Sequence, residues 1–422
     1  MDHFVFKNGE LYCEDIPVKK IAEEAGTPLY IYSTATLERH FKAFEKALVH
    51  RNHIICFAVK ANSNIAVLNI LGRLGAGADI VSGGELFRAL KAGIPADRIT
   101  YSGVGKTRRE IEYALKAGIL MFNVESLDEL YTIGETAARM GKRAGISFRV
   151  NPDIDPKTHP YISTGLKKNK FGLPVQEAVE AYRLASGMDW LETIGVSCHI
   201  GSQITETGPF KAAAEKIGSL VKGLETEGIR LKFIDLGGGL GVRYKDETPP
   251  EPEEYLAAVI QEISSLPQTL ILEPGRAICA NAGIMVTKLL YTKDSGERRF
   301  YIVDAGMNDF ARPSLYQAYH EIVPVTGPTA GTAALLKPTD VVGPICETGD
   351  FLARGCPMPS MKNGDLIAVR GAGAYGFSMS SNYNSRPRAA EVLVAGDRFK
   401  VIRTRETYED LIRGEEIWEA WR

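Results

Sequence analysis

The sequence lacks the features that mark a membrane-spanning, secreted or zinc-binding protein. None of its apolar runs is long enough for a helix to cross a bilayer, and the N-terminus MDHFVFKNG has neither the basic start nor the apolar core of a signal peptide. Its six cysteines include no CxxC pair and no His/Cys cluster with zinc-ligand spacing. We therefore expect a cytoplasmic protein with reduced thiols and no metal. Cys56, Cys198 and Cys279 lie in apolar segments and are expected to be small buried residues.

An excess of charge of either sign is also missing. The 50 Lys and Arg residues nearly balance 52 Asp and Glu residues, which gives a net charge of −2. This balance gives no reason to expect binding to nucleic acid or to an anionic membrane. The 422 residues exceed what one ordinary hydrophobic core accommodates and fit two domains.

What the sequence does contain is an alternation of short apolar strands with helical stretches. The segments between the strands, such as Gly84–Ala92, Thr107–Ala117 and Val175–Ala185, have helical periodicity. Nearly all-apolar strands are typical of a parallel sheet covered by helices. The pattern predicts an α/β protein with a (β/α)8 TIM-like barrel over residues 31–278. The eight predicted strands are Ile54–Ala58, Ala78–Val81, Ile99–Tyr101, Met121–Val124, Ile146–Val150, Ile194–His199, Phe233–Leu236 and Leu270–Glu273.

The pattern changes after about residue 277, where strand-like segments follow one another with few helices. This predicts a C-terminal, mostly antiparallel β-barrel or sandwich domain over residues 279–422. At the N-terminus, Phe4–Phe6, the Asn8-Gly9 turn and Leu11-Tyr12 predict a hairpin. We assign residues 1–30 to the β domain as well, although the pattern alone does not decide this. The predicted C-terminal strands are Met285–Tyr291, Arg299–Val303, Leu366–Val369, Ala390–Val394 and Arg398–Arg403.

Lys60 ends the first barrel strand, at the strand terminus where a barrel of this type builds its active site. A lysine in this position ordinarily extends to solvent. A desolvated lysine is instead a nucleophilic amine that forms a Schiff base with an aldehyde. Pyridoxal phosphate is the natural partner, because it also brings a phosphate that needs a cradle.

The glycine-rich turn Gly237–Gly239 is the candidate for that cradle. Glycine lets backbone amides point inward, and the loops after strands seven and eight are the usual phosphate site of this architecture. A tight βα turn is the structural alternative. Ser202 can add a hydroxyl, and Gly275 allows close approach of the backbone to the phosphate.

His199 and Glu273 are candidates for contact with the cofactor ring. A lone histidine here is more often a satisfied core residue, but at a barrel mouth its imidazole can stack on a ring. Glu273 ends an apolar strand, where a carboxylate is costly unless it has a partner. Either it pairs with Arg276, or it holds the pyridine nitrogen protonated and makes the ring a strong electron sink.

Two loops of the β domain carry further reactive side chains. GPICETGD (343–350) contains a thiol and two carboxylates, and GAGAYG (371–376) presents one phenol. Each loop is either a domain connection or part of a surface that closes over a neighbouring active site.

Taken together, these segments resemble those of fold-type III pyridoxal-phosphate decarboxylases, and more narrowly those of the diaminopimelate decarboxylase family. The resemblance implies an alanine racemase-like barrel with a β domain, and a homodimer. It also implies decarboxylation of meso-2,6-diaminopimelate to L-lysine and CO2, the last step of lysine biosynthesis through diaminopimelate. The matching segments cover essentially the whole chain in the family's order: FAVKAN (57–62), HIGSQ (199–203), GGGLG (237–241), EPGR (273–276), DAGMND with RPSLY (304–316), GPICETGD and GAGAYG.

The resemblance also implies a role for each matched residue. Lys60 bonds the cofactor, His199 stacks on its ring, and Cys346 donates the proton; Cys346 and Glu347 act in the active site of the partner subunit. Phe310-Ala311 before Arg312, and Ser314 after it, depart from the family's usual residues and bear only on pocket shape. The implied catalytic residues are Lys60, His199, Glu273 and Cys346. The implied cofactor contacts are Lys60, His199, Ser202, Gly238, Gly239, Glu273, Pro274, Gly275, Arg276 and Tyr375. The implied substrate contacts are Arg276, Arg312, Tyr316, Glu347 and Tyr375.

The choice of substrate depends on the two arginines. Arg276 and Arg312 offer planar donors to the distal carboxylate of diaminopimelate, and Glu347 offers a partner to its ammonium. Ornithine would leave a buried arginine unpaired, which disfavours the alternative of a basic-amino-acid decarboxylase. A non-catalytic pyridoxal-phosphate carrier needs no second domain with a Cys-Glu loop. A racemase would want an arginine where Glu273 stands.

Overall fold

The chain divides into two units in the computed structural model, which describes residues 2–155, 164, 170–296, 298–327 and 336–421. The barrel unit is Leu37–Cys279, and the β unit combines Met1–Thr36 with Ala280–Arg422. Both ends of the chain therefore contribute to the β unit.

The N-terminal segment begins with the predicted hairpin, which is confirmed. Its first two strands pair antiparallel around Asn8 and Gly9, whose φ angles of 52° and 80° suit the tight turns that join such strands. A third short strand completes this small sheet. The elements of the segment are β1 (Phe4–Lys7), β2 (Glu10–Cys13), β3 (Ile16–Pro17), α1 (Val18–Ala25), β4 (Leu29–Ser33) and α2 (Thr34–Ala47).

The barrel unit contains the predicted eight-stranded parallel barrel. Each strand pairs in parallel with the next, and the last strand pairs with the first, so the sheet closes. A short additional strand, β10 (Leu173–Pro174), lies beside one barrel strand. The barrel strands are β5 (His53–Ala58), β6 (Gly77–Ile80), β7 (Ile99–Tyr101), β8 (Met121–Val124), β9 (Ala144–Asn151), β11 (Leu191–Ser197), β12 (Phe233–Asp235) and β13 (Thr269–Leu272). As expected, Cys56, Cys198 and Cys279 are buried.

Helices connect the barrel strands, and polar caps fix where several of them begin. The side chains of Ser82, Thr107 and Ser126 each accept a backbone N–H three residues ahead, which satisfies a donor at the helix start. In the part of the chain that the structure describes, no helix combines the length and the apolar character needed to cross a bilayer. The helices of this unit are α3 (Ile65–Arg73), α4 (Gly83–Lys91), α5 (Arg108–Ala117), α6 (Leu127–Met140), α7 (Val175–Ser186), α8 (Gly208–Thr226), α9 (Pro252–Glu262) and α10 (Arg276–Cys279).

The β unit is built on a nine-stranded sheet in which β4 from the N-terminal segment lies between two C-terminal strands. Most neighbouring strands pair antiparallel, but two pairs, one of which includes β4, are parallel, so the sheet is mixed. Leu29 and Ile31 of β4 are fully buried among apolar residues from both ends of the chain. The remaining elements are β14 (Gly283–Ser295), β15 (Arg298–Val303), α11 (Arg312–Tyr316), β16 (Ile322–Pro324), β17 (Lys337–Val342), β18 (Phe351–Met358), β19 (Leu366–Val369), β20 (Ala390–Ala395), β21 (Arg398–Arg403) and α12 (Tyr408–Leu411).

Candidate active site

Lys60 lies in a single 3-10 turn, Val59–Ala61, directly after β5. Its Nζ is 2.6 Å from Oδ2 of Asp79 on β6. The Lys60 side chain is 34% exposed, whereas that of Asp79 is fully buried, and Oδ1 of Asp79 has no hydrogen-bond partner among the residues that the structure describes. The ammonium therefore balances a buried carboxylate at the carboxyl end of the strands, where barrel enzymes place their chemistry. Sequence reasoning missed Asp79, although a carboxylate inside an apolar strand was a usable signal.

Glu273 follows β13 and belongs to a buried group of polar side chains in the barrel interior. The Nδ2 atom of Asn123 donates to Oε1 of Glu273 at 3.3 Å, and the hydroxyl of Thr100 lies 3.4 Å from the same oxygen. Burial, followed by the nearby charges of Asp235 and Asp79, raises the pKa of Glu273 well above its usual range, and Lys60 opposes this. We call this group the core polar cluster; its members are Asp79, Thr100, Asn123, Ser147, Asp235 and Glu273.

Arg276 begins α10 and is the centre of a second polar group. Its guanidinium donates to Oγ of Ser202 at 3.1 and 3.3 Å and to the hydroxyl of Tyr244 at 2.8 Å. The described hydrogen bonds of Glu273 go to the core polar cluster, whereas those of Arg276 go to Ser202 and Tyr244. Ser202 and Arg276 are thus brought together as predicted sites, and Tyr244 is a partner that sequence reasoning missed.

The segment that joins Glu273 to Arg276 packs closely against the turn that carries Lys60. The carbonyl of Pro274 accepts the N–H of Ala58 at 3.2 Å. A Cβ on Gly275 would lie 2.9 Å from Cβ of Ala61 and 3.0 Å from Cβ of Ala58, closer than packed carbon atoms allow. Gly275 therefore lets two loops with candidate site residues approach each other.

The Gly237–Gly239 turn follows β12 and packs closely against backbone carbonyl groups. A Cβ would lie 2.6 Å from a carbonyl oxygen at Gly237, 2.2 Å at Gly238 and 2.6 Å at Gly239. Gly237 and Gly239 also have φ angles of 66° and 118°, which favour glycine. The N–H groups of Gly237 and Gly238 bind Asp235 and His199. Among the contacts that the structure describes, the N–H of Gly239 is the one in this turn that remains available to a ligand.

His199 follows β11 and accepts the N–H of Gly238 at its Nδ1 atom, 3.2 Å away. A neutral ring that accepts at Nδ1 carries its proton on Nε2. Burial, together with the positive charges of Arg149 and Lys60, lowers the pKa of His199 well below its usual value. The imidazole is therefore uncharged near neutral pH and suits stacking on a flat ring. Arg149, whose guanidinium contacts the His199 carbonyl oxygen at 3.4 Å, was missed from the sequence.

These groups of the barrel unit fit pyridoxal phosphate. An amine lies beside a buried carboxylate, a neutral imidazole is fixed in one tautomer, and a turn without room for any Cβ faces the same strand ends. A guanidinium and hydroxyls lie on the neighbouring loops. The set offers an aldehyde a covalent partner, a ring a stacking partner and a phosphate its usual donors.

In the β unit, Arg312 begins α11 and is buried. Its Nε donates to Nε2 of His320 at 3.2 Å, so the other nitrogen of His320 carries the proton and donates to the Arg370 carbonyl oxygen at 2.9 Å. The guanidinium lies 5.8 Å from the centre of the Tyr316 ring. Arg312 and Tyr316 are thus brought together, and His320 is an orienting residue that sequence reasoning missed.

The loop that contains Cys346 is organised by Asp350. The two carboxylate oxygens of Asp350 accept the N–H groups of Met307 and Ile345, each at 2.6 Å. The hydroxyl of Ser314, on α11, donates to the loop at 2.7 Å. These contacts hold the loop in a defined shape beside the helix of Arg312.

Cys346 and Glu347 are both exposed on this loop, and the Cys346 thiol is unpaired. The backbone N–H of Cys346 donates to Asn384 at 2.9 Å, and the Glu347 carboxylate accepts the hydroxyl of Tyr383 at 3.1 Å. Tyr375 lies in the GAGAYG loop with a φ angle of 55° and is half-buried. The β unit therefore holds Arg312, Tyr316, Cys346, Glu347 and Tyr375, and the barrel unit holds the other predicted residues.

The chain is similar to known decarboxylases over nearly its whole length. Residues 34–280 match the family model "Pyridoxal-dependent decarboxylase, pyridoxal binding domain". A diaminopimelate decarboxylase of Haemophilus influenzae is 54% identical over 97% of this chain and 98% of its own length. The crystal structure of diaminopimelate decarboxylase from Helicobacter pylori complexed with L-lysine is 46% identical, with a TM-score of 0.90 over 94% of this chain and 98% of that one. The diaminopimelate decarboxylase from M. jannaschii in co-complex with L-lysine is 38% identical, with a TM-score of 0.93 over 99% and 98%.

Proposed function

Because the chain belongs to the pyridoxal-dependent decarboxylases, and within them to the diaminopimelate decarboxylase family, we propose specific roles for its site residues in that reaction. The enzyme decarboxylates meso-2,6-diaminopimelate to L-lysine and CO2, with pyridoxal phosphate as cofactor, in the last step of lysine biosynthesis. The observation that carries the cofactor assignment is the 2.6 Å contact of Lys60 with buried Asp79 at the strand ends of a closed barrel.

The barrel residues bind and orient the cofactor. Lys60 supplies the amine that bonds its aldehyde, and Asp79 stabilises the ammonium form whenever Nζ is not bonded. Gly239, Ser202 and Arg276 bind the phosphate. His199 stacks on the ring, and Glu273 holds a proton at the ring nitrogen. The bound cofactor supplies the electron sink for the electrons that remain when CO2 leaves.

The β-unit residues recognise the substrate and return a proton to its α-carbon. The buried guanidinium of Arg312, oriented by His320, offers planar donors to the distal carboxylate. Arg276 and Tyr375 add donors, Tyr316 packs along the substrate, and Glu347 pairs with the distal ammonium. Cys346 donates the proton from its thiol. Its exposure on a loop fixed by Asp350 supports this role, because an exposed thiol exchanges its proton readily.

We also propose that the enzyme is a homodimer in which Cys346 and Glu347 serve the partner's site. Both side chains are exposed rather than packed into their own unit. On the barrel unit, Val81, Val104 and Leu127 are about 40% exposed (38, 41 and 42%) just after consecutive strands. Because these three strands are neighbours in the sheet, the side chains follow the same end of adjacent strands, and exposed apolar side chains grouped in this way are typical of an interaction surface.

Mixing two inactive variants tests the shared site. Lys60→Ala and Cys346→Ala proteins, each inactive alone, are expected to recover part of the activity after subunit exchange, because a heterodimer then contains one intact site. Absence of recovery, with exchange verified by a mass tag on one variant, would place Cys346 in its own subunit's site. Cys356→Ala, at a thiol on β18, is the matched control and should not need complementation.

A cytoplasmic location is part of this proposal. All six cysteines are unpaired, and four of them are buried as thiols. Free thiols persist in a reducing compartment, which supports synthesis and function in the cytoplasm.

A further inference from the structure

The carboxyl groups of Asp235 and Glu273 lie side by side inside the barrel. Asp235 is fully buried at the end of β12, Glu273 is 7% exposed after β13, and an oxygen of each lies within 3.3 Å of the same nitrogen atom of Asn123. A hydrogen bond between two carboxyl groups requires a proton on one of them, since two carboxylates offer only acceptors. Two ionised carboxyl groups side by side in the barrel interior would also repel each other strongly.

Asn123 connects the two carboxyl groups, and a hydrogen bond from Ser147 fixes the orientation of the Asn123 amide. Its Nδ2 atom lies 3.2 Å from Oδ2 of Asp235 and 3.3 Å from Oε1 of Glu273. Its Oδ1 atom accepts the hydroxyl of Ser147 at 2.6 Å, which orients the amino group toward the carboxyl groups. One amino group, which has two hydrogen atoms, thus faces both acidic side chains and the hydroxyl of Ser102, 3.0 Å from Nδ2.

The hydrogen bonds of the two groups differ in a way that decides where the proton lies. Asp235 receives the backbone N–H of Gly237 at 2.8 Å in addition to the amino group of Asn123. Among the described residues, the contacts that Glu273 receives are longer, at 3.3 Å from Asn123 and 3.4 Å from Thr100, and neither comes from a backbone N–H. Short N–H contacts stabilise an ionised carboxylate. Asp235 is therefore the better site for the negative charge.

We propose that Asp235 and Glu273 share a single proton in the cofactor-free protein, with Glu273 as the acid and Asp235 as the anion that accepts its hydrogen bond. Asp235 is then a positioning residue, which orients the Glu273 carboxyl group and sets its charge. Because the same carboxylate binds the N–H of Gly237, it also fixes the glycine turn.

The directions of the pKa shifts agree with this assignment. Burial raises the pKa of Asp235 to about 6, while burial and the charge of Asp235 raise that of Glu273 well above its usual range. The other ionisable groups that face the pair are Asp79, Lys60, Cys56, Cys198 and Tyr255.

The consequence of the shared proton for the reaction rests on the proposed function. With Glu273 at the ring nitrogen, the carboxyl group arrives with the proton that this nitrogen needs. The charge left on Glu273 is then stabilised by Asn123 and Thr100. The shared proton itself is a property of the cofactor-free protein, and it is tested without any turnover.

Infrared spectroscopy of the cofactor-free protein tests the shared proton through the C=O stretch of protonated carboxylic acids. At pH 7 we expect an acid band that is absent from Glu273→Gln. Asp235→Asn keeps the shape of the side chain but removes its negative charge. The pH at which the Glu273 band disappears should therefore fall by at least one unit, which is a tenfold change in the ionisation constant of Glu273. Asp309→Asn, at a buried carboxyl group of the β unit, is the matched control and should leave this midpoint unchanged.

Two results would overturn the inference. If Glu273→Gln removes no acid band at pH 7, Glu273 is ionised and no proton is shared. If Asp235→Asn leaves the midpoint unchanged, Asp235 does not set the charge of Glu273. Should Asp235→Asn fail to fold, Asp235→Ser also removes the charge and keeps an acceptor for Gly237. Failure of lysine formation would affect the proposed function but not this spectrum.

Discussion

Replacing Lys60 by alanine should destabilise the protein as well as inactivate it. The substitution leaves the carboxylate of Asp79 fully buried, with Oδ1 already without a partner. Removing one partner of a buried ion pair typically costs about 3–5 kcal/mol. Because Lys60 is 34% exposed, water reaches part of the vacated space, and we expect a smaller cost, about 2–3 kcal/mol.

Neutralising Asp79 should reverse most of this loss. In Lys60→Ala/Asp79→Asn the buried charge is absent, so the double variant should be more stable than Lys60→Ala by at least about 1 kcal/mol. The assay is urea unfolding of the cofactor-free parent, both single variants and the double variant. The double variant should recover stability but form no lysine. The reasoning is refuted if Lys60→Ala is as stable as the parent, or if the second substitution recovers nothing.

Three further predictions concern the glycine turn, the substrate arginine and a buried acid. Gly238→Ala should lower cofactor affinity at least tenfold in equilibrium dialysis, because the added Cβ would lie 2.2 Å from the Glu273 carbonyl oxygen. Gly223→Ala, at a position with open space around it, is the control and should keep the parent's affinity. Equal affinities of the Gly238→Ala and Gly223→Ala variants would contradict this prediction. Arg312→Ala should raise KM for diaminopimelate at least tenfold with cofactor affinity nearly unchanged, and Arg312→Lys should recover little because an ammonium lacks planar donors; equal loss of cofactor would indicate a structural role. Burial raises the pKa of Asp309 to about 7. The folded protein therefore binds this proton more tightly than the unfolded protein, and the free energy of unfolding falls as the pH rises from about 4 to 7. Asp309→Asn should therefore stabilise the protein more at pH 8 than at pH 5, by about 2 kcal/mol in thermal unfolding, and an equal effect at both pH values would argue against a raised pKa.

The barrel was predictable because its strands carry a strong local signal. All eight predicted strands exist, and Ile99–Tyr101 and Met121–Val124 have the predicted bounds. Short, almost wholly apolar segments separated by helical periodicity leave few other arrangements. The other observed strands differ from the predicted ones by one to three residues at their ends, because an apolar run does not mark where the hydrogen-bonded pairs begin and end.

The β unit was predicted less completely, because several of its strands lack a clear pattern. The strands Ile322–Pro324, Lys337–Val342 and Phe351–Met358 were not predicted. All three contain a proline, which favours a loop in a sequence reading. The place of Leu29–Ser33 between two C-terminal strands depends on long-range pairing, which no local pattern contains.

For the site, motifs identified the residues at strand ends but not their supporting partners. Asp79, Asn123 and Asp235 lie within short strands whose other residues are apolar, and their proximity depends on closure of the barrel. Tyr244 and His320 orient the two arginines from loops, so their roles also depend on tertiary contacts that no local pattern contains. A polar residue in an apolar strand was the available signal, and it was used only for Glu273.

The decisive measurement is formation of lysine from meso-diaminopimelate by purified protein with added pyridoxal phosphate. We expect robust release of lysine and CO2, no release by Lys60→Ala, and little activity on ornithine or arginine. Binding of the cofactor without lysine formation, or faster turnover of ornithine than of diaminopimelate, would contradict the proposed function.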